Sequence, residues 1–166
     1  GKLIITGSGR VYNSMYMPVD SMRLDSITPP TPVVYNGVAY LNFAPTATEY
    51  VYYNFVLPHD YAEGTDIISY LYILNPTVAV GIVNFQLNYK WNNINASIGS
   101  AIPLDIEYPI PVSDRYFRAE SSVISGIGKG IGSIFSGVLN RGGGGDEFAD
   151  VVYLLGIGVN YLVDGF

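Results

Sequence analysis

The chain has 166 residues and contains no cysteine, one histidine and one tryptophan. Without cysteine there is no disulfide framework and no thiolate metal site, and the redox compartment stays undetermined. Charged residues make up only 13% of the chain, and the formal net charge is −6. The eight basic residues are scattered and form no stripe that could neutralise phosphates. This composition argues against a nucleic-acid partner.

Long apolar runs are also missing. No run approaches the ~18 residues that a membrane-spanning helix needs. The first ten residues, GKLIITGSGR, lack the basic end and long apolar centre of a signal peptide. Hydrophobic residues still make up 49% of the sequence, which predicts an ordered core within one domain.

Tyrosine, glycine and proline are abundant, with 15, 19 and 10 copies. Tyrosine favours strands, and the spread of glycine and proline indicates many short elements rather than a few long helices. Residues 1–48 are the least periodic part, and we expect an N-terminal arm and edge strands there. Residues 49–166 are predicted to form the main β-sandwich.

Period-two alternation is clearest in residues 51–57 and 83–91. Residues 66–74 are almost wholly apolar or aromatic, as in a strand with both faces covered. Prolines bracket residues 104–108, which predicts an edge strand. Alternation returns in residues 155–163. About eight strands without βαβ spacing predict an all-β, antiparallel two-sheet sandwich of the jelly-roll type.

Residues 121–145 admit two interpretations. Isoleucines at helical spacing predict a small amphipathic helix, which would be membrane-active. Five glycines between positions 126 and 137 oppose that helix by about 4–5 kcal/mol. The other interpretation is strand, glycine-rich turn, strand, and the glycine penalty favours this hairpin.

The loop at residues 58–66 contains the single histidine. His59 and Asp60 have the residue types of an acid/base pair, but no nucleophile motif lies near them. A structural turn explains the loop better, with aspartate and glycine supplying the turn chemistry. The turn residues are Pro58, His59, Asp60, Gly64 and Asp66. We predict no catalytic residue and no enzymatic activity.

Two acidic clusters raise the question of calcium, namely Asp60, Glu63 and Asp66, and then Asp146, Glu147 and Asp150. Neither cluster matches the spacing of the twelve-residue calcium loop. Solvated loops are the better interpretation. We therefore predict neither a metal nor a cofactor.

Tyrosines alternate with the core set on two predicted strands. Tyr50, Tyr52, Tyr70 and Tyr72 would then lie on outer faces, which indicates a partner surface. The alternative is that a second sheet or the N-terminal arm covers them. Trp91 joins this candidate interface as an aromatic residue at the end of its strand.

A run of residues from Phe55 to Asp66, FVLPHDYAEGTD, resembles a group of tailed-phage virion proteins. The aromatic strand that follows, Asn75-Pro76-Thr77 and residues 85–91 extend the similarity, which covers roughly residues 40–166. The members are small jelly-roll proteins of the capsid-decoration or head-fibre kind. The resemblance implies a hairpin in residues 121–145 and no catalytic residues.

The predicted function is therefore that of a non-enzymatic structural protein of a phage virion. It would decorate or stabilise the capsid, or form the base of a fibre, as a homotrimer that contacts the major capsid protein or other virion proteins. The alternative is a carbohydrate- or receptor-binding module of a viral fibre, in which an exposed Trp91 or tyrosine stacks on a glycan. A further alternative is a membrane-active protein that acts through residues 121–139.

Overall fold

The computed structural model describes residues 11–112, 115–142 and 145–163. Residues 1–10 of the predicted N-terminal arm and residues 164–166 of the predicted β-sandwich lie outside the described residues. The described residues form eleven strands and one 3₁₀ turn, Val19–Ser21. In chain order the strands are β1 Val11–Pro18, β2 Arg23–Leu24, β3 Thr31–Tyr35, β4 Val38–Phe43, β5 Tyr50–Val56, β6 Ile67–Leu74, β7 Gly81–Asn92, β8 Ile102–Ile110, β9 Tyr116–Glu120, β10 Ile134–Arg141 and β11 Val152–Val163.

The first sheet, sheet A, has the order β3-β4-β11-β6-β9. Strand β11 is long enough to serve two partners along one edge. Its residues 152–154 pair with β4, and its residues 156–163 pair with β1. The other edge of β11 pairs with β6 from Tyr153 to Tyr161, with a register shift between Leu154 and Gly156. The longest strand of sheet A therefore joins both ends of the described chain.

The second sheet, sheet B, has the order β2-β5-β10-β7-β8. All of its pairs are antiparallel. Strand β8 is an edge strand, as the flanking prolines predicted, because Pro103 and Pro109 lack the N–H that a central strand would donate.

The core lies between the two sheets. Sheet A contributes Leu71 and Ile157, and sheet B contributes Phe85 and Leu139, all fully buried. These residues alternate with outward ones along each strand, so the period-two pattern of the sequence marks the inner face directly. Burial of this apolar surface is the main term that stabilises the sandwich.

The fold class is confirmed as an all-β jelly-roll sandwich of two antiparallel sheets, with 56% of the described residues in strands or β-bridges. Eleven strands are found where the pattern indicated about eight. The difference arises near the N-terminus. In β1, Met15 and Met17 pack against the core while Tyr16 lies on the outer face. Apolar residues on both faces hide the alternation that would reveal a strand.

Residues 121–142 contain no helix. Ile124 pairs with Ile67 beside sheet A, and β10 then begins at Ile134 in sheet B. The two extended pieces therefore belong to different sheets, and the predicted hairpin is wrong in its pairing. Glycines allow the crossing, because a Cβ on Gly126 would lie 1.7 Å from the Thr65 carbonyl oxygen.

Within the described residues, no helix has the length and hydrophobicity to cross a membrane.

Candidate functional site

The four tyrosines of the predicted interface lie on opposite sides of the sandwich. Tyr50 and Tyr52 belong to β5 of sheet B, whereas Tyr70 and Tyr72 belong to β6 of sheet A. The structure therefore does not bring them together. Tyr52 is 39% exposed, but Tyr70 is only 2% exposed.

Trp91 is not a surface residue. Its side chain is 5% exposed and belongs to the core, where Nε1 donates to Ser133 Oγ at 2.8 Å. Its ring packs against Tyr61 and Phe135. The expectation that Trp91 stacks on a glycan is wrong for this reason. The residue is the last inward position of β7, and its neighbour in β10 covers it.

The loop at residues 58–66 forms two tight turns against the glycine-rich segment. The N–H of Tyr61 donates to the Pro58 carbonyl, and Gly64 adopts a φ of 76°. Asp60 Oδ1 accepts a hydrogen bond from the Tyr161 hydroxyl at 3.3 Å, while His59 is exposed. Pro58, His59 and Asp60 thus lie in a turn.

The loop carboxylates accept hydrogen bonds from backbone N–H groups. Glu63 Oε1 accepts from Ile131 N at 2.9 Å, and Asp66 Oδ1 accepts from Gly126 N at 3.0 Å. Asp146, in the second acidic cluster, forms an ion pair with Arg141. Among the described residues, no three histidine or carboxylate side chains converge into a metal-binding group.

Tyr52 is held in place at the outer face of sheet B. Its hydroxyl donates to Asp25 Oδ1 at 2.9 Å. Asp25 Oδ2 accepts from the N–H groups of Ile27 and Thr28, at 2.9 and 2.8 Å. These hydrogen bonds lower the pKa of Asp25 to about 2. The N–H of Thr28 contributes most, followed by the N–H of Ile27 and the Tyr52 hydroxyl. Donation to this carboxylate in turn raises the pKa of Tyr52, so the phenol stays protonated.

Two hollows flank Tyr52, and we call them together the Tyr52 groove. The β2 hollow, of about 430 Å³, is lined by Arg23, Asp25 and Ser26 among others. The β7 hollow, of about 330 Å³, is lined by residues that include Asn88, Lys90 and Ser136. Both hollows share Tyr52 and Asn54. These volumes are within the usual range for small-molecule sites.

Polar side chains of the Tyr52 groove are free to bind a ligand. Asn54, Ser136 and Lys90 form one row across β5, β10 and β7. Their side chains have no hydrogen-bond or ion-pair partner within the described chain. The Asn88 amide is instead oriented by Asn140, to which it donates at 3.2 Å. The groove thus combines a fixed aromatic ring with unengaged donors and acceptors.

A second aromatic surface covers the outer side of sheet A. Seven tyrosines contact one another in two chains of ring contacts, and we call this surface the tyrosine face. Its residues are Tyr16, Tyr35, Tyr40, Tyr70, Tyr72, Tyr116 and Tyr153. The centroids of contacting rings are 5.4 to 6.5 Å apart. This range is typical of favourable aromatic pairs.

The tyrosine face is partly buried by its own rings. The hydroxyls of Tyr40 and Tyr116 lie 2.5 Å apart, and the guanidinium of Arg118 stacks over Tyr70 at 4.0 Å. Burial, followed by the neighbouring phenols, raises the pKa of Tyr16 to about 12. Tyr116 and Tyr16 remain 56% and 41% exposed. The ring of Tyr16, from β1, reaches across β11 and covers part of Tyr72, which agrees with the alternative in which N-terminal residues cover these tyrosines.

Sequence reasoning found Tyr52 but missed its partners in the groove. The signal for the β7 side was present, since Asn84, Gln86, Asn88 and Lys90 mark the polar face of the clearest alternating run. The signal for Asp25 was the turn-forming segment Asp-Ser-Ile-Thr, in which the carboxylate accepts from N–H groups two and three residues later. The pairing of β2 with β5 that joins these parts is not readable from sequence.

The sequence matches no protein-family profile and no curated protein. Solved structures show a likeness of fold. The chain is similar to the xylanase 10B structure of Clostridium thermocellum with CBM22-1 and GH10 modules and xylohexaose, at a TM-score of 0.50 and 11% identity. The similarity covers 91% of this chain and 28% of that one, so the chain spans little more than a quarter of that structure.

Two further solved structures are carbohydrate-binding modules of similar length. One is a family 35 module from Clostridium thermocellum, with a TM-score of 0.47, 12% identity and coverage of 89% of this chain and 97% of that one. The other is the CBM36-1 domain of a xylanase from the hindgut metagenome of Trinervitermes trinervoides, with a TM-score of 0.49, 11% identity and coverage of 89% and 96%. Identities this low are evidence about fold alone.

Proposed function

We propose that this protein is a non-catalytic carbohydrate-binding module that holds a glycan in the Tyr52 groove. The observation that carries the proposal is the ring of Tyr52, fixed by Asp25 between two hollows that share it. A sugar ring presents C–H groups on its face and hydroxyls at its rim. An aromatic ring with amide and hydroxyl groups around it matches both.

The surroundings of Tyr52 support this function in two ways. The hydrogen bond to Asp25 orders the ring before a ligand arrives, which lowers the entropic cost of binding. Asn54 and Ser136 lie one row away and have no partner within the described residues. The fold is also one that carbohydrate-binding modules use, but the proposal rests on the groove because fold does not determine function.

A glycan array followed by calorimetric titration of the best ligand tests the proposal. Tyr52→Ala removes the stacking ring and should weaken binding at least tenfold, or about 1.4 kcal/mol. Tyr52→Phe keeps the ring but loses the bond to Asp25, and its effect should be smaller.

The matched control is Tyr116→Ala, which removes an exposed ring from the tyrosine face on the opposite sheet. It should leave glycan affinity unchanged. The proposal is wrong if no glycan binds, or if Tyr52→Ala and Tyr116→Ala have the same effect on affinity.

The tyrosine face favours a second candidate function, namely assembly. We propose that exposed rings such as Tyr116 bury against another subunit, in a homotrimer or against a capsid protein of a virion. Aromatic residues are enriched at protein interfaces, and tyrosine in particular adds a hydroxyl that can bind across one. The sequence resemblance to phage virion proteins points the same way. The two functions are compatible, because the two surfaces lie on opposite sheets.

A further inference from the structure

Lys90 gives the Tyr52 groove a positive charge. The residue lies on β7, two strands from Asn54 in the same row of sheet B. Its side chain is half-buried and has no ion-pair or hydrogen-bond partner in the described chain. Among the described residues that line the β7 hollow, Lys90 is the only charged one. The hollow therefore carries a single uncompensated positive charge.

Most other described cations are already engaged. Arg141 and Arg118 form ion pairs with Asp146 and Glu120. The ammonium of Lys129 donates to the Trp91 carbonyl oxygen at 2.6 Å. The neighbouring β2 hollow is lined by both Arg23 and the acidic residue Asp25. An unpaired ammonium in a hollow is thus an exception in a chain with a net charge of −6.

We infer that the ligand is an acidic saccharide whose carboxylate or sulfate binds Lys90 in the β7 hollow. This inference rests on the glycan-binding function proposed above. The spacing suits such a ligand. Tyr52 and Lys90 are separated by two strand intervals across the sheet and by two residues along it, or about 12 Å in all. The lysine side chain shortens that gap, so a sugar ring on Tyr52 can place its own or its neighbour's anionic group at the ammonium.

The single charge also restricts the class of anion. One ammonium neutralises one group, whereas a polyanion such as a nucleic acid needs a row of cations. The hydroxyl of Ser136 lines the same hollow and can donate to another oxygen of the carboxylate or sulfate.

The experiment uses an array on which neutral glycans are printed beside their uronic-acid, sialylated and sulfated counterparts, followed by titration of the best matched pair. The acidic member should bind about twofold to fivefold more tightly than the neutral one. The difference should shrink at 1 M salt, where charges are screened beyond about 3 Å. Whether carboxylates or sulfates bind better identifies the anionic group.

Two variants complete the test. Lys90→Gln should abolish the preference for the acidic member of the pair. Arg115→Gln, which removes an exposed cation next to sheet A, should retain the preference. If Tyr52-dependent binding is as strong for neutral glycans as for acidic ones, or if Lys90→Gln keeps the preference for the acidic member, the inference of an acidic ligand is wrong while the glycan-binding function stands. If no glycan binds, both are wrong.

Discussion

The ring of Tyr70 lies directly over Gly158 on the neighbouring strand. The two residues are paired across β6 and β11, and a Cβ built on Gly158 would lie 2.0 Å from Tyr70 Cζ. Glycine at this position therefore leaves the space that the ring occupies. With Arg118 above it, the ring is enclosed from both sides.

Gly158→Ala should therefore destabilise the fold by about 2 kcal/mol, because the added methyl group forces Tyr70 out of its position. Urea unfolding measures the change. Gly99→Ala is the control, since nothing lies within 4 Å of a Cβ at that position, and it should change stability by less than about 0.5 kcal/mol. In the double variant with Tyr70→Leu, the two costs should not add. Additive costs would show that the ring and the glycine are independent.

Arg141 should be essential for stability rather than for binding. Its side chain is 1% exposed and donates to both carboxylate oxygens of Asp146, and it also donates to the Phe43 carbonyl at 3.1 Å. Arg141→Met leaves these acceptors buried without a donor and should cost about 3–5 kcal/mol in thermal or urea unfolding.

The control for this variant is Arg118→Met, which breaks an ion pair whose side chains are 35% and 50% exposed and replaces the guanidinium over Tyr70 with an apolar side chain. It should cost about 1 kcal/mol or less. Equal costs for the two variants would contradict a stabilising role for the buried network.

Asp25 should make stability depend on pH in the acidic range. Its folded-state pKa is about 2, below the ordinary value of about 4. The carboxylate therefore stabilises the folded state above pH 4, and this contribution is lost as the pH falls from 4 to 2. The difference in melting temperature between the parent protein and Asp25→Asn should be constant above pH 5 and shrink over that window.

Tyr52→Phe should change the pH dependence of the melting temperature in the same direction as Asp25→Asn, but by less. It removes one donor to Asp25 but keeps the N–H groups of Thr28 and Ile27, which contribute more to the low pKa. Its effect on the acid profile should be smaller than that of Asp25→Asn. An Asp25→Asn difference that persists unchanged to pH 2 would rule out the carboxylate as its source.

Assembly through the tyrosine face should be sensitive to a charge at one of its exposed rings. If the protein forms a homotrimer through this face, Tyr116→Lys should convert it to monomers in sedimentation velocity, because the ammonium would be desolvated at the interface. Tyr52→Lys, on the opposite sheet, should leave the oligomer intact. A parent protein that is monomeric at micromolar concentration would contradict self-assembly.

The sequence predicted the fold well wherever one strand face was apolar and the other polar. In β7, Val83, Phe85 and Leu87 alternate with asparagine and glutamine, and the strand was found almost to its ends. β1 was missed because Tyr16 makes its outer face look like a second core face. The pairing of residues 121–142 was wrong because periodicity indicates where strands lie but not which sheet each one joins.

The candidate site was predictable only in part, for a similar reason. An exposed tyrosine on β5 follows from alternation, and Tyr52 was identified in this way. Asp25 lies 27 positions earlier, and only the pairing of β2 with β5 brings it to that hydroxyl. Trp91 shows the opposite error, since a residue at a strand end is buried when other side chains pack on it, as Tyr61 and Phe135 do here.

The pairing of β1 with β11 has a mechanical consequence. Val11 lies opposite Val163, so the described chain enters the first strand and leaves the last one at the same point. Tension applied across these two positions would load one pair of residues at a time and open the strands like a zipper. Resistance to pulling would then be low in this direction, whereas a load applied along the strands would stretch all the hydrogen bonds of the pair together.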